Sequence, residues 1–365
     1  MFRIFDIEPI AVALPLASPM KMSGDLITVS CNLIVRASDG EGNEGWGEAA
    51  SAPLMTGETL PGMVAAATYI SDRLAGKEVE SIEGISAQIG GAIYGNPGAK
   101  AAVEMALVDL AAKRMELPLF ELLGGKVRSE VAVIQLLSSH GDESEAEQVR
   151  KSRDAGMQAF KVKVGSAKVS EDIERCRVVR ESAGAESRVS ADANEGYCLE
   201  DAIDFCRRAG AAGLDFVEQP VSRSNLEYMR ECSEASAVPI AADEGFRSIE
   251  DIRRHRDSAA AAGGSLKPLK FGIANLVAAS RLMSRFGMRV NIAGKVAESS
   301  IGSAAIAHIS AIVEQLDWDA SITSQYLAAD IVKTPVQVVS GMLSPPESPG
   351  LGVYVDYEKL RKVRT

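Results

Sequence analysis

Apolar and polar residues alternate along Phe160-Lys161-Val162-Lys163-Val164, the pattern of a strand. A repeat of two puts Lys161 and Lys163 on one face and the apolar residues on the other. Two ammonium groups so close together repel. Repulsion and partial burial both lower a lysine pKa, which makes one of the pair a candidate base near neutrality. Similar short apolar runs predict strands at Val131–Leu136, Ala159–Val164, Arg188–Ala191, Asp215–Glu218, Ile240–Ala242, Ser265–Leu269, Arg289–Ile292 and Leu316–Ile322. Helical periodicity fills the gaps, as at Glu200–Ala211 and Ile273–Phe286. Regular alternation of strand and helix predicts βα units and a parallel sheet.

The first third has a different rhythm. Strands are expected at Arg3–Leu14, Leu26–Ala37 and Gly45–Ala49, with Asp39–Asn43 as a turn cluster. Ser18–Gly24 and Ser51–Gly57 break the pattern and read as mobile loops. From Glu58 to Lys113 the period becomes helical, and Asn96-Pro97-Gly98 supplies a start signal for an alanine-rich helix. Leu119–Gly125 reads as a short helical turn closed by glycines. Sheet followed by helices makes an α+β unit. The tail beyond Asp330, with Pro345-Pro346 and Pro349-Gly350, leaves the alternating region, and its simplest home is the N-terminal domain.

Length and charge narrow the reading. A chain of 365 residues is long for one core, so two domains are expected. A net charge of -11 argues against nucleic-acid binding, which needs a basic face. No apolar run reaches the roughly 20 residues of a membrane span. The opening residues alternate and carry acids early, unlike a signal peptide. Five cysteines without a CxxC pair point to free thiols in a reducing compartment, hence a cytoplasmic protein. His140, His255 and His308 are far apart, so a histidine zinc site is not expected, and His308 reads as a packed core residue.

The spacing of polar residues carries the chemistry. Lys163 to Asp192 is 29 residues, then 26 to Glu218, 25 to Asp243 and 24 to Lys267. About one βα unit separates each from the next, and each falls at the C-terminal end of a predicted strand. In a (β/α)8 barrel those ends converge on one mouth; a doubly wound open sheet is the competing architecture. Any single strand-end acid is most simply a helix cap. Three on successive strands favour a hard divalent cation, Mg2+ or Mn2+. Lys161 and Lys163 lie to one side of this row and Lys267 to the other, so each side could reach one face of a substrate α-carbon. A cation that binds the substrate carboxylate stabilises the enediolate left when the α-proton departs. Glu298 follows the seventh strand, as a substrate contact or a helix N-terminal acid. Lys270 reads as an exposed or supporting residue.

In order, Lys161-Val162-Lys163, Asp192-Ala193-Asn194, Glu218-Gln219-Pro220, Asp243-Glu244 and Lys267 resemble the enolase superfamily, and within it the muconate lactonizing enzyme (mandelate racemase/muconate cycloisomerase) subgroup. Gly45-Trp46-Gly47-Glu48, Met55-Thr56-Gly57-Glu58 and Pro349-Gly350-Leu351-Gly352 extend the resemblance over nearly the whole chain. It implies a modified (β/α)8 TIM barrel over residues 126–330, capped by an α+β domain of residues 1–125 to which 331–365 return. It implies Mg2+ on Asp192, Glu218 and Asp243, supported by Asn194 and Glu244. Lys163 and Lys267 become opposed acid/base catalysts, with Lys161 tuning the first. Loops around Met20 and around Met55 and Thr56 would close over a small-molecule carboxylate. Two features depart from the pattern. A single glycine, Gly272, stands where the subgroup commonly shows a pair. Asp317-Trp318-Asp319 resembles the D-x-D with which dipeptide epimerases hold a substrate ammonium, whereas the following residues resemble the succinylbenzoate synthase and N-acylamino acid racemase branch. The activity implied is racemisation or epimerisation of an amino-acid derivative. Muconate-type cycloisomerisation and dehydration of a hydroxy acid such as a hydroxyproline are the alternatives. A homo-oligomer is implied, and a non-catalytic binding protein is disfavoured because no site residue is missing.

Overall fold

In the computed structural model, which describes residues 2–22, 25–137 and 143–365, eight parallel strands follow one another in sequence order. They are Ile134–Leu137, Ala159–Lys163, Arg188–Asp192, Phe216–Glu218, Ile240–Ala242, Gly263–Leu266, Arg289–Ala293 and Ala320–Ser321. A parallel bridge between Val133 and Ala320 joins the eighth strand to the start of the first. That closure, with no reversal of strand order, makes a barrel and removes the open-sheet alternative. The helices between strands bury one stripe each. Leu199–Ala209, for example, turns Ala202, Phe205, Cys206 and Ala209 inward at helical spacing.

Three strand expectations need correction. The segment at Val131–Leu136 is split: Val131–Ala132 pairs antiparallel with Met342–Leu343, and only Ile134–Leu137 joins the barrel. The sixth strand stops at Leu266, because Pro268 opens a helix that runs to Arg285. Proline has no amide hydrogen to give a ladder, but its fixed φ suits a first helical turn. The eighth strand shrinks to Ala320–Ser321.

Over the barrel lies a three-stranded antiparallel sheet, Asp6–Met22, Asp25–Ser38 and Glu44–Ala50. Its first strand is longer than the predicted Arg3–Leu14 and continues through a register shift between Pro15 and Met20. Residues 18–22, expected as loop, are therefore strand; Ser23 and Gly24 lie outside the described residues, as does His140. Pro9, Pro15 and Pro19 are tolerated because this is an edge strand. The alanine-rich helix Pro97–Arg114 presses so closely on the third strand that a Cβ at Gly45 or Gly47 would fall 2.0 Å from a helix carbonyl. The tail packs here too. Leu351 N donates to Asp109 Oδ1 at 2.6 Å, and Arg364 forms an antiparallel bridge with Val12.

Two buried acids tie this layer to the barrel. Glu48 accepts from Ser299 N at 2.8 Å, Ser299 Oγ at 2.6 Å and Gly302 N at 3.0 Å, capping the helix Ser300–Ile312 that follows the seventh strand. Glu104 accepts from Ala274 N at 2.9 Å, just past a break in the helix Pro268–Arg285. The break is at Gly272, whose φ of 72° is left-handed. A Cβ there would lie 2.0 Å from Glu104 Oε2. The lone glycine of that loop is thus required both by its backbone and by the acid packed on it.

Gly272→Ala is expected to lower stability by roughly 2–4 kcal/mol, the sum of a left-handed residue and an overpacked contact. Gly90→Ala, in the helix Ile82–Ala92 with open space around its Cβ, should instead be neutral or raise stability by up to about 1 kcal/mol. Urea unfolding midpoints of the two variants check the contrast.

Candidate active site

A cavity of about 410 Å³ lies where the barrel mouth meets the sheet layer, with Ile27, Leu54 and Met55 on one side and Lys161, Lys163, Asp192, Glu218 and Lys267 on the other. Pairing of neighbouring strands brings the polar residues together. Lys163 is level with Asp192, and Asp192 with Glu218. Asp243 lies just past the fifth strand and Lys267 just past the sixth. The second and sixth strands are four places apart in a closed ring of eight, so Lys163 and Lys267 stand on opposite sides of the mouth.

Each carboxylate is buried and each meets an ammonium. Lys163 Nζ donates to Asp192 Oδ2 at 2.6 Å and to Asn194 Oδ1 at 2.7 Å. Lys161 pairs with Glu218 Oε2, whose other oxygen accepts from Ser265 Oγ at 2.8 Å. Lys267 Nζ is 2.6 Å from Asp243 Oδ2, and Lys270 Nζ is 2.8 Å from Oδ1. Asn194 Nδ2 donates to Glu244 Oε1 at 3.0 Å, and Glu244 Oε2, though buried, has no partner among the described residues.

The electrostatics follow from these pairs. Burial disfavours charge on Lys161, yet Glu218 and Asp192 outweigh it and raise its pKa. Burial likewise opposes the charge of Lys267, and Asp243 with Glu244 raises it. Of the pair of which one was expected to be lowered, Lys161 is thus not that one, because carboxylates stand closer to it than like charges do. Burial works against ionisation of Asp243, but Lys267 and Lys270 hold its pKa far below the usual range. Glu244 is pushed up to about 7 by burial, then by Asp243 and Asp192.

Other anticipated contacts fall differently. Asp319 is absent from the cavity: it precedes the eighth strand and pairs with Arg188, the first residue of the third, at the opposite end of the barrel. The D-x-D reading of Asp317 and Asp319 as an ammonium site is therefore corrected. Glu298 is buried behind the cavity wall, where a Cβ on Gly294 would meet its Oε2 at 2.5 Å. Burial, and then Glu48, pushes its pKa up to about 8. Met20 packs against Leu136 and Val296 in a small apolar cluster and does not itself line the cavity. Met55 does line it, whereas Thr56 turns its hydroxyl to Ala52 O at 3.3 Å. The segment expected as a mobile loop is held at its tip: Arg223 donates to Met55 O at 2.8 Å and Leu54 O at 2.7 Å.

Sequence reading missed two residues, and of the two alternatives for Lys270 the structure has the supporting one, buried under Asp243. Lys295 lines the cavity beyond the seventh strand, and Ser321 lines it at the end of the eighth. A signal for Lys295 existed, since it is a lone charge in the apolar run Ile292–Ala297. His308 is the packed residue expected: its Nδ1 accepts from Phe120 N at 3.2 Å, and burial pushes its pKa down to about 4.

A divalent cation fits this donor set by chemistry. Asp192, Glu218 and Asp243 offer only hard oxygens on adjacent strand ends, Asp192 and Asp243 repel each other, and Glu244 beside them keeps an orphaned oxygen. Among the described residues no three of these groups are gathered around one point, because each has turned to its lysine. The lysines do in this arrangement what a cation would do: they neutralise buried carboxylates.

Known proteins share both the fold and the sequence pattern. Residues 5–124 match the family model for the mandelate racemase / muconate lactonizing enzyme N-terminal domain, and residues 144–360 that for the enolase C-terminal domain-like family. A chloromuconate cycloisomerase from Pseudomonas putida is 30% identical over 98% of both chains. The N-succinyl Arg/Lys racemase structure from Bacillus cereus superposes with a TM-score of 0.93 at 28% identity, over 100% of this chain and 98% of that one. The dipeptide epimerase from Cytophaga hutchinsonii, complexed with Mg and D-Ala-L-Val, also gives 0.93, at 29% identity over 99% and 98%.

Lys270→Met leaves Asp243 with a buried charge only partly compensated, and without divalent ions should cost roughly 3–5 kcal/mol. Adding Asp243→Asn to it should recover part of that loss. A double-mutant cycle from urea unfolding in chelator measures the coupling.

Proposed function

This chain belongs to the mandelate racemase / muconate lactonizing enzyme family of the enolase superfamily, and from that premise we propose that it inverts the α-carbon of an N-substituted amino acid. The observation that carries this reading is the placement of Lys163 and Lys267 across the mouth from one another, with Asp192, Glu218 and Asp243 on the strands between. One lysine removes the α-proton from one face, and the other returns a proton to the opposite face, so the net change is stereochemical and no atom is lost. Lys161, held on Glu218, is a fixed positive charge two residues before Lys163 on the same strand. Asn194 bridges Lys163 to Glu244 and orients the amine. Bound on Asp192, Glu218 and Asp243, Mg2+ or Mn2+ would supply the charge that stabilises the enediolate. The apolar side chains of Ile27 and Met55 stand over the site, with the exposed Leu54 at its rim.

A masked amino group is favoured because Asp319, the acid that would hold a free ammonium, is at the other end of the barrel. Cycloisomerisation is the second reading, supported by the chloromuconate cycloisomerase among the relatives. It would use the same lysines, one of them donating a proton.

Proton NMR in deuterium oxide, with Mg2+, separates these readings. Racemisation gives deuterium at the α-carbon of both enantiomers, whereas cycloisomerisation gives a new ring. Lys163→Ala and Lys267→Ala should each lower racemisation by about 10³-fold, each retaining α-exchange from one enantiomer only. Full activity in both variants removes the two-base assignment. Asp243→Asn should weaken Mg2+ binding measured by calorimetry, and unchanged affinity would exclude that residue as a ligand.

A further inference from the structure

Besides Glu244 Oε2, the pairings at the mouth leave two polar groups over among the described residues. Lys161 is taken by Glu218, Lys163 by Asp192, and Lys267 by Asp243. Lys295 also lines the cavity, yet among the described residues its Nζ has neither an ion pair nor a hydrogen bond. Ser321 lines the same cavity, and its buried Oγ is without a partner as well.

These two groups are neighbours by construction. Ala293 and Ser321 are paired across the seventh and eighth strands, and Gly294 N donates to Ser321 O at 2.9 Å. Lys295 follows at once, its carbonyl fixed by Thr323 Oγ1 at 2.7 Å. Around them the wall is apolar, with Leu136, Ala293 and Val296. An ammonium in such surroundings is costly unless a counter-ion arrives, and a hydroxyl without a partner adds to the cost. Burial, and then Lys267 and Lys163, pushes the Lys295 pKa down to about 8, more than the Glu298 and Asp243 carboxylates raise it.

We infer that Lys295 Nζ and Ser321 Oγ form a subsite for a second carboxylate, so that the substrates are dianionic acids. This rests on the isomerase reading for the place of the first carboxylate, at the acids of the third to fifth strands. The second then lies toward the seventh and eighth strands, one short chain away. An N-succinyl amino acid has this form. A dipeptide with a free ammonium does not, and Lys295 would repel it.

The matched probes are N-succinyl and N-butyryl forms of a panel of L-amino acids, which differ only by carboxylate against methyl at the chain end. Calorimetry on the Mg2+-loaded protein should find the succinyl form bound roughly 10- to 100-fold more tightly, as for a charge-assisted hydrogen bond. Lys295→Met should abolish that preference while binding of the butyryl form persists, which also reports that the variant is folded. Lys295→Arg should retain much of the preference. Equal binding of the pair by the wild type, a preference undiminished in Lys295→Met, or no binding of any succinyl compound would overturn the subsite. Tight, Lys295-dependent binding without α-proton exchange would leave the subsite standing and overturn the isomerase reading instead.

Discussion

Buried carboxylates at the ends of parallel strands must be neutralised, and the mouth of this barrel is built on that constraint. Parallel pairing sets Lys163, Asp192 and Glu218 level on neighbouring strands, so their charges cannot avoid one another. The pairs Lys161–Glu218, Lys163–Asp192 and Lys267–Asp243 resolve the conflict internally, with Lys270 closing Asp243 from below. Such a network is poised. A cation on the acids would take the place of the amines and offset the carboxylate charge that raises the Lys161 and Lys267 pKa values. Stability without metal and reactivity with it would thus come from the same side chains.

The sheet layer over the barrel serves that site through buried hydrogen bonds as well as apolar packing. Glu48 and Glu104 each reach down to cap a barrel helix, and those helices follow the seventh and sixth strands. Arg223 reaches up from the barrel to hold the Leu54–Met55 carbonyls, and Glu195 holds Arg223 in turn. Buried acids on helix amides are costly to leave unmade, so the two layers are held in one relation. Cavity shape depends on that relation, since Ile27, Leu54 and Met55 come from one layer and the charged residues from the other.

The contrast between Lys295 and Asp319 bears on substrate class. Both were polar residues near the seventh and eighth strands, and only one faces the cavity. Asp319 comes before its strand and Lys295 after, which in a parallel barrel places them at opposite ends. On the proposed reading, the Lys295 ammonium on that side of the cavity suits an acidic substituent better than an ammonium.

Sequence by itself determined the order of βα units, the strand-end positions of Lys163, Asp192, Glu218, Asp243 and Lys267, and the chemistry they point to. Period and spacing are local properties, and parallel strands at regular intervals leave few ways to close. Tertiary structure decided what depends on neighbours distant in the chain. It turned the predicted loop at residues 18–22 into an edge strand, set Lys270 beneath Asp243, left Lys295 and Ser321 without hydrogen-bond partners for their side chains among the described residues, and put Asp319 at the far end. Whether a charge is compensated is a property of the whole surrounding volume. No stretch of the chain carries that information until all eight strands have met.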